Sequence, residues 1–385
     1  MCCTLALYAL LMPIVAEQQG SADLLSIFGN ANMDDRIDEA DAAYVQGVVD
    51  GKNAPTRLSD ANYDGSIDSR DIDRINEMIR GEEEELTVAD SVGRNVTIQM
   101  PVTSLVALGT YRNEAAKILR AQDMMVGVSS DIIKAGYYYP DLAGKPAVGT
   151  WSAPDSEAIV ELHPDMVITS ANLDRATKLE ESLRPAGIPV LGLDFYRDNI
   201  LRSEIRTLGY ILNKNEEADR YLRWREGYEQ IIRDYVAGLE EEEEKPTLFM
   251  EWGTKNTASE ISSYGRGSSG DAVSSLTGGR NIAADLPEYP KVDSEWVLLK
   301  DPDVIIRSLA PGSGKAGWNS TEEAAEILNS YIGERPGWSN LDAVKNNRVH
   351  LLSTEIAWGP DGIVGDAYYA RWLHPEMDID PEKIY

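Results

Sequence analysis

The hydrophobic pattern divides the chain into unlike regions. Residues 23–81 alternate acidic turns with two amphipathic helical stretches. One presents Tyr44, Val45, Val48 and Val49 and is closed by Gly51; the other presents Ile72, Ile75 and Ile79 and is closed by Gly81. Apolar and polar residues then alternate from Val88 to Ile98 around Gly93, which predicts a hairpin. Beyond it, short apolar runs at 105–108, 125–128, 166–169 and 189–193 read as buried strands, with a helix over 113–119. From 199 to 239 the apolar residues keep a helical spacing (Leu201, Ile205, Leu208, Ile211, Leu212, then Tyr221, Tyr228, Ile231, Tyr235), which predicts one long helix. Strand signals resume at 247–250, 304–306 and 349–352. The order is a small all-α unit, an α/β unit, a long helix and a second α/β unit.

A short motif occurs twice. Asp155-Ser156-Glu157 is followed by Pro164-Asp165 and Val167-Ile168, and Asp293-Ser294-Glu295 is followed at the same spacing by Pro302-Asp303 and Ile305-Ile306. A helix opening beside an acidic residue, a Pro break and a buried β-branched strand account for each copy. Two such units predict two similar α/β lobes facing one another, with a ligand cleft between them.

Charge narrows the partners. A formal net charge of -29 over 385 residues excludes nucleic acid or an anionic membrane surface as the natural partner. The only cysteines, Cys2 and Cys3, stand ahead of an apolar run over residues 5–16, which has the length of a signal-peptide core and is too short to span a membrane. Residues 1–16 are therefore expected to be a signal peptide, and the mature chain an exported, extracellular protein held at the cell surface.

Residues 30–41 and 60–71 each carry oxygen-bearing side chains at the spacing of a calcium loop. The first supplies Asn30, Asn32, Asp34, Asp38 and Asp41, with the Arg36 carbonyl at position 7. The second supplies Asp60, Asn62, Asp64, Asp68 and Asp71, with the Ser66 carbonyl. Gly65 suits the sharp turn of the second loop, whereas the first has Asp35 there and a neutral residue at position 1, so calcium is expected to bind the second loop more tightly. Loop plus exit helix, twice, resembles a dockerin domain over residues 23–81. The resemblance implies docking onto a cohesin of a scaffold or surface protein, through positions such as Glu39, Ala40, Ser69 and Arg70. The acidic stretch 82–86 reads as a linker.

The rest of the chain carries a second resemblance. Gly93-Arg94, Val126-Gly127-Val128, Gly149-Thr150, the stretch from Glu157 to Ile168, the long helix, Trp358-Gly359-Pro360 and Trp372-Leu373-His374-Pro375-Glu376 occur in an order similar to the substrate-binding proteins of iron–siderophore, haem and cobalamin ABC importers. That implies two Rossmann-like lobes, 87–198 and 245–385, joined by one long helix over 199–239. It also implies that Glu157 and Glu295, one per lobe, meet arginines of a membrane permease.

In such sheets ligands lie beyond the C-terminal strand ends. The candidates there are Tyr111, Arg112, Trp151, Asn172 and Tyr196 in the first lobe, and Trp252, Tyr264, Arg266, Arg307 and Trp358 in the second. With 18 Tyr and 8 Trp against 3 Phe, the rings carry polar tips that suit a wet cleft gripping a planar or chelated ligand. No enzyme is expected. A polysaccharide hydrolase is the alternative, with Glu251 as its best acid; a surface scaffold protein without a transport role is another. A bare-metal receptor would need clustered imidazoles, and of the only histidines His163 and His374 precede Pro and His350 sits in a strand, so each reads as structural.

Overall fold

The computed structural model describes residues 24–136, 138–239, 245–309 and 321–384. The expected signal segment lies outside them. In the N-terminal module each acidic loop runs into a helix, α1 (Glu39–Val49) and α2 (Ser69–Arg80). Asp38 and Asp68 are the N-caps. In both helices the residue at the third helical position, Asp41 or Asp71, accepts the N-cap N–H in return. Gly81 ends α2 at φ 66°. Ala31, Val45, Ala61 and Ile75 form a small core between the helices, with Ile37 and Ile67 packed on it.

This module is not a separate bead. Ile27 forms an antiparallel bridge with Val88 of the following hairpin, β1 (Glu85–Ala89) and β2 (Asn95–Gln99). The Phe28 N–H donates to the Thr87 carbonyl and the Ala89 N–H to the Ser26 carbonyl, both at 2.9 Å. Leu25, Ile27 and Met78 share one core with Leu86, Val88 and Ile98. The acidic run expected as a linker therefore enters a strand at Glu85.

The first lobe follows as β3 (Leu105–Ala107), α3 (Thr110–Ile118), β4 (Met125–Val128), α4 (Ser130–Lys134), the ribbon β5 (Gly149–Thr150) and β6 (Ala153–Pro154), α5 (Ser156–Glu161), β7 (Met166–Thr169), α6 (Leu173–Leu183) and β8 (Val190–Gly192). Its sheet runs β4-β3-β7-β8, all parallel. The single helix expected over 199–239 is two, α7 (Asp198–Ile211) and α8 (Asn215–Ala237). Asn213 turns the chain at φ 53°, and Gly209 lets α8 close in, since a Cβ there would lie 2.8 Å from that of Ala218. Ion pairs Arg202–Glu229 (2.6 Å) and Arg206–Asp219 (2.9 Å) tie the two helices together.

The second lobe comprises β9 (Thr247–Thr257), β10 (Glu260–Ser263), α9 (Ser269–Leu276), β11 (Arg280–Asn281), β12 (Lys291–Val292), α10 (Ser294–Lys300), β13 (Val304–Leu309), α11 (Thr321–Gly333), α12 (Asp342–Lys345), β14 (Val349–Ser353), α13 (Thr354–Ala357) and α14 (Gly362–Leu373). The strand order is β12-β10-β9-β13-β14, with β11 beside β9; β9, β13 and β14 are parallel.

The duplicated motif acquires a physical role. Asp155 and Asp293 cap α5 and α10. After each Pro, the aspartate clamps the entry of the neighbouring parallel strand. Asp165 Oδ2 accepts the Thr103 N–H (2.8 Å), the Thr103 hydroxyl (2.9 Å) and the Ser104 N–H (2.8 Å). Asp303 Oδ2 accepts the Thr247 N–H (2.7 Å) and hydroxyl (2.6 Å). Each clamp sets a register, Leu105 beside Met166 and Leu248 beside Val304. Asp165→Ala and Asp303→Ala are expected to destabilise the fold by about 1.5–3 kcal/mol each, the range for hydrogen bonds to a charged acceptor. Urea denaturation measures this; unchanged midpoints would show that the clamps are decorative.

Candidate functional site

Three strand ends of the first lobe meet the end of β14 around a cleft of ≈ 380 Å³. The turn after β3 depends on Gly109, at φ 85°, where a Cβ would sit 2.7 Å from Arg112 Nη2 and 3.1 Å from Trp151 Cβ. Its N–H donates to Ser129 Oγ (2.9 Å), and Asn113 Nδ2 donates to the Ala107 and Gly109 carbonyls. After β7, Asn172 caps α6 by accepting the Arg175 N–H. After β8 the chain passes through Asp194, Phe195 (φ 54°) and Tyr196. This turn is held from behind by Glu204 of α7, which accepts the Asp194 N–H (2.7 Å), the Phe195 N–H (2.5 Å) and the Ser91 hydroxyl. Thr354 and Glu355 face it from the second lobe.

Tyr111, Arg112, Trp151, Asn172 and Tyr196 all line this cleft. Arg112 is buried and directed at backbone, donating from Nε to the Leu108 carbonyl (2.7 Å) and from Nη1 to that of Asp194 (3.1 Å). Arg175, which the sequence did not single out, lies 4.5 Å over the Trp151 ring; it is exposed and has no ion pair among the described residues. Its only sequence signal is its place in the first turn after a strand end.

A ladder of rings crosses from lobe to lobe. Tyr111 and Tyr196 lie 5.5 Å apart, Tyr196 and Trp358 6.0 Å, Trp358 and Tyr264 5.3 Å, and Tyr264 and Trp252 6.4 Å. Tyr289, also unforeseen, stands 6.2 Å from Trp252. The Tyr196 and Ser269 hydroxyls are hydrogen-bonded at 2.9 Å across the lobes. At Gly359 (φ 76°) a Cβ would fall 2.4 Å from Tyr111 Cδ1, so the glycine admits the ring. The middle rungs are packed, whereas Trp252 at one end is 38% exposed; Trp151, which lines the cleft, is 40% exposed.

Two expected arginines are elsewhere. Arg307 turns to the opposite face of β13 from Ile306. It lies 3.6 Å from Glu251 and stacks over Tyr331 at 4.6 Å. Strand alternation is the reason: Ile305 packs with Tyr331, and Arg307 follows on the same face. Arg266 sits at the surface beside Asp285 (3.4 Å). Glu251 is itself fully buried, accepting from Tyr331 Oη (2.6 Å), Arg335 (2.8 Å) and Asn256 (2.9 Å), so it does not face the cleft as an acid would. Glu157 and Glu295 occupy the first turns of α5 and α10, exposed and without an ion pair among the described residues.

The two acidic loops are matched bond for bond. The Asp34 N–H donates to Asn30 Oδ1 (3.1 Å) and Asn32 Oδ1 (3.0 Å), as that of Asp64 does to Asp60 (3.1 Å) and Asn62 (3.0 Å). Asp41 accepts the N–H groups of Asn32 and Asp38, and Asp71 those of Asn62 and Asp68. Gly65 turns at φ 88°. Position 8 of each loop, Ile37 and Ile67, packs on the small core between α1 and α2. Among the described residues no three His, Cys, Asp or Glu side chains are gathered into a metal cluster. In the second loop the Arg70 guanidinium stands between Asp64 (2.6 Å) and Asp68 (2.7 Å), where it does a cation's work. The donors are all oxygens in a preformed turn, which fits calcium once Arg70 swings aside.

Residues 105–355 match the family described as periplasmic binding protein. The chain belongs to that family, the solute-binding proteins of ABC transporters. It is 22% identical over 295 residues to an uncharacterised ABC transporter substrate-binding lipoprotein, YvrC, of Bacillus subtilis, covering 76% of this chain and 86% of that protein. It is 28% identical over 207 residues to the vitamin B12-binding protein of Yersinia pestis, covering 53% and 69%. The TroA-like periplasmic binding protein FepB of Veillonella parvula superposes with a TM-score of 0.64 at 23% identity, covering 77% and 93%. The molybdate periplasmic binding protein MolA of Haemophilus influenzae does so at 0.61 and 20%, covering 77% and 94%. No helix among the described residues of this solute-binding protein is long and apolar enough to cross a membrane.

Burial pushes the Glu204 carboxyl from 4.5 up to about 7. Folding therefore retains a proton that the unfolded chain gives up. The stabilisation is full below about 4.5 and is lost as pH rises through about 7. Glu204→Gln is expected to flatten the dependence of Tm on pH between those values. An unchanged slope in the variant would assign the titration to another group.

Proposed function

We propose that this solute-binding protein is exported, held at the cell surface, and captures an iron chelate (siderophore or haem) or a cobalamin-type corrinoid for an ABC importer. The observation that carries the reading is the interlobe cleft itself. Strand ends of both lobes border it, the exposed indole of Trp151 lines it, a ladder of rings leads from it to the exposed Trp252, and Arg175 is free to meet an anionic group. A flat, conjugated ligand gains both apolar burial and ring contact from such walls. The likeness to a vitamin B12-binding protein supports the corrinoid side of the reading. A hydrolase loses its best acid, because Glu251 is committed to Tyr331 and Arg335.

Titration of the full chain with ferric siderophores, haem and cyanocobalamin, followed by tryptophan fluorescence, tests this. One ligand class is expected to saturate, and Trp151→Ala and Arg175→Ala to weaken it by about tenfold each. The Glu157→Lys, Glu295→Lys double variant is expected to keep that affinity and lose importer-dependent uptake, because each carboxylate–arginine contact with the permease becomes a repulsion. Saturable binding and turnover of an oligosaccharide instead would overturn the assignment.

The N-terminal module completes the proposal. Asn30, Asn32, Asp34, Asp38 and Asp41, with the Arg36 carbonyl, would hold one calcium. Asp60, Asn62, Asp64, Asp68 and Asp71, with the Ser66 carbonyl, would hold a second. Calcium would supply the charge that lets these carboxylates share one small loop, leaving the exposed Glu39, Ala40, Ser69 and Arg70 to meet a cohesin. Calorimetry is expected to show two calcium sites, with Asp60→Ala abolishing the tighter and Asp34→Ala the weaker. No heat of binding in the parent chain would sink the calcium reading while leaving the cleft untouched.

A further inference from the structure

A second cavity, of ≈ 310 Å³, adjoins the cleft and shares Glu355 with it. It is enclosed by α3, the segment at Tyr138 and Tyr139, α8, and the chain from Glu355 through α14. Most of its wall is apolar or aromatic, including Ile118, Trp224, Ile356 and Val364. Three carboxylates interrupt that wall: Glu114 from the first lobe, and Glu355 and Asp361 from the second. Glu114 is only 5% exposed. Its Oε1 accepts the Tyr139 hydroxyl at 2.7 Å, but Oε2 has no hydrogen-bond partner. A buried carboxylate oxygen without a donor is costly, and the side chain that carries it lines a space large enough for a small ligand.

We infer that this cavity, which shares Glu355 with the solute cleft, is a binding site for a small organic cation, an ammonium head on an apolar or aromatic body. The chemistry of the walls selects that class. A bare metal ion needs its ligands gathered at one point, and among the described residues no three carboxylates are so gathered. Here they are spread around a hydrophobic space, which suits a ligand with both a charge and a body. An anion would face three acidic groups and one cation, Lys117, which is occupied by the Tyr138 carbonyl (3.4 Å) and the Tyr139 ring (5.2 Å). Trp224 and the tyrosines add aromatic faces to a cation's environment. Burial keeps all three carboxyls above their ordinary range, although Lys117 opposes the shift at Glu114 and Asp361. Because the carboxylates come from both lobes, a bound cation would bridge them.

The test uses the full chain and 2-phenylethylammonium, with 2-phenylethanol as its neutral isostere, by calorimetry and Trp emission at neutral pH. The ammonium is expected to bind one per chain and at least about tenfold more tightly than the alcohol, the margin of a charge-assisted contact. Asp361→Asn and Glu114→Gln, which preserve shape, are each expected to erase most of that margin without changing the alcohol's affinity. Trp224→Phe is expected to remove the emission change. Equal binding of alcohol and ammonium would reduce the site to an apolar hollow. Ammonium affinity unchanged in both carboxamide variants, or no ammonium binding at all, would overturn the proposal.

Discussion

The fold hangs on one buried guanidinium. Arg225, on α8, is paired with Glu229 at 2.8 Å, with Asp198 at the start of α7, and with Asp366 of α14 at 3.8 Å. The neighbouring Tyr221 hydroxyl donates to the Pro360 carbonyl at 2.6 Å. A single residue of the helical hairpin thereby addresses both the exit of the first lobe and the last helix of the second. Removing one partner from such a buried set costs about 3–5 kcal/mol, because the other charges stay behind unpaired. The lobes are fixed on the hairpin before any ligand arrives, and the Tyr196–Ser269 hydrogen bond repeats the tie at the cleft.

That constraint decides how the cleft recognises anything. With the lobes already in contact through Tyr111, Tyr196, Trp358 and Tyr264, a ligand cannot be engulfed by a wide closure. The rings left exposed are Trp151, with Arg175 over it in the cleft, and Trp252 with Tyr289 at the far end of the ring ladder. The turn that presents Tyr196 is itself preset by Glu204, so the site is built ahead of binding, which lowers the ordering cost of association. The same logic reaches the N-terminal module. Ile27, Met78 and the Arg206–Asp35 pair (3.1 Å) fasten it to the hairpin β1–β2 and to α7. The module and the solute-binding lobes therefore keep a set orientation to one another.

Much of this was legible in the sequence because it is local or repeated. The duplicated Asp-Ser-Glu and Pro-Asp spacing announced two lobes, and the structure adds why the second aspartate is there. Strand ends located Tyr111, Arg112, Asn172 and Tyr196 at the cleft because a parallel sheet exposes its C-terminal edge, whereas Trp151 reaches it from the turn of the antiparallel ribbon β5–β6. Helical periodicity could not see the break at Asn213, since α7 and α8 each bury one face and the spacing runs on through a single left-handed residue. Arg307 was misplaced for want of following the two-residue alternation one step past Ile305. The bridge from Ile27 to Val88 and the pairing of Glu251 with Arg335 join residues far apart in the chain, and no window on the sequence contains both partners.

Whether a coloured chelate occupies the rigid cleft is read most directly on protein isolated under mild conditions from its native host. An absorption spectrum together with an intact non-denaturing mass spectrum reads both the identity and the stoichiometry of what the cleft holds. The account predicts one equivalent of a visible-absorbing corrinoid or iron chelate. A colourless protein carrying a carbohydrate at the same stoichiometry would contradict it.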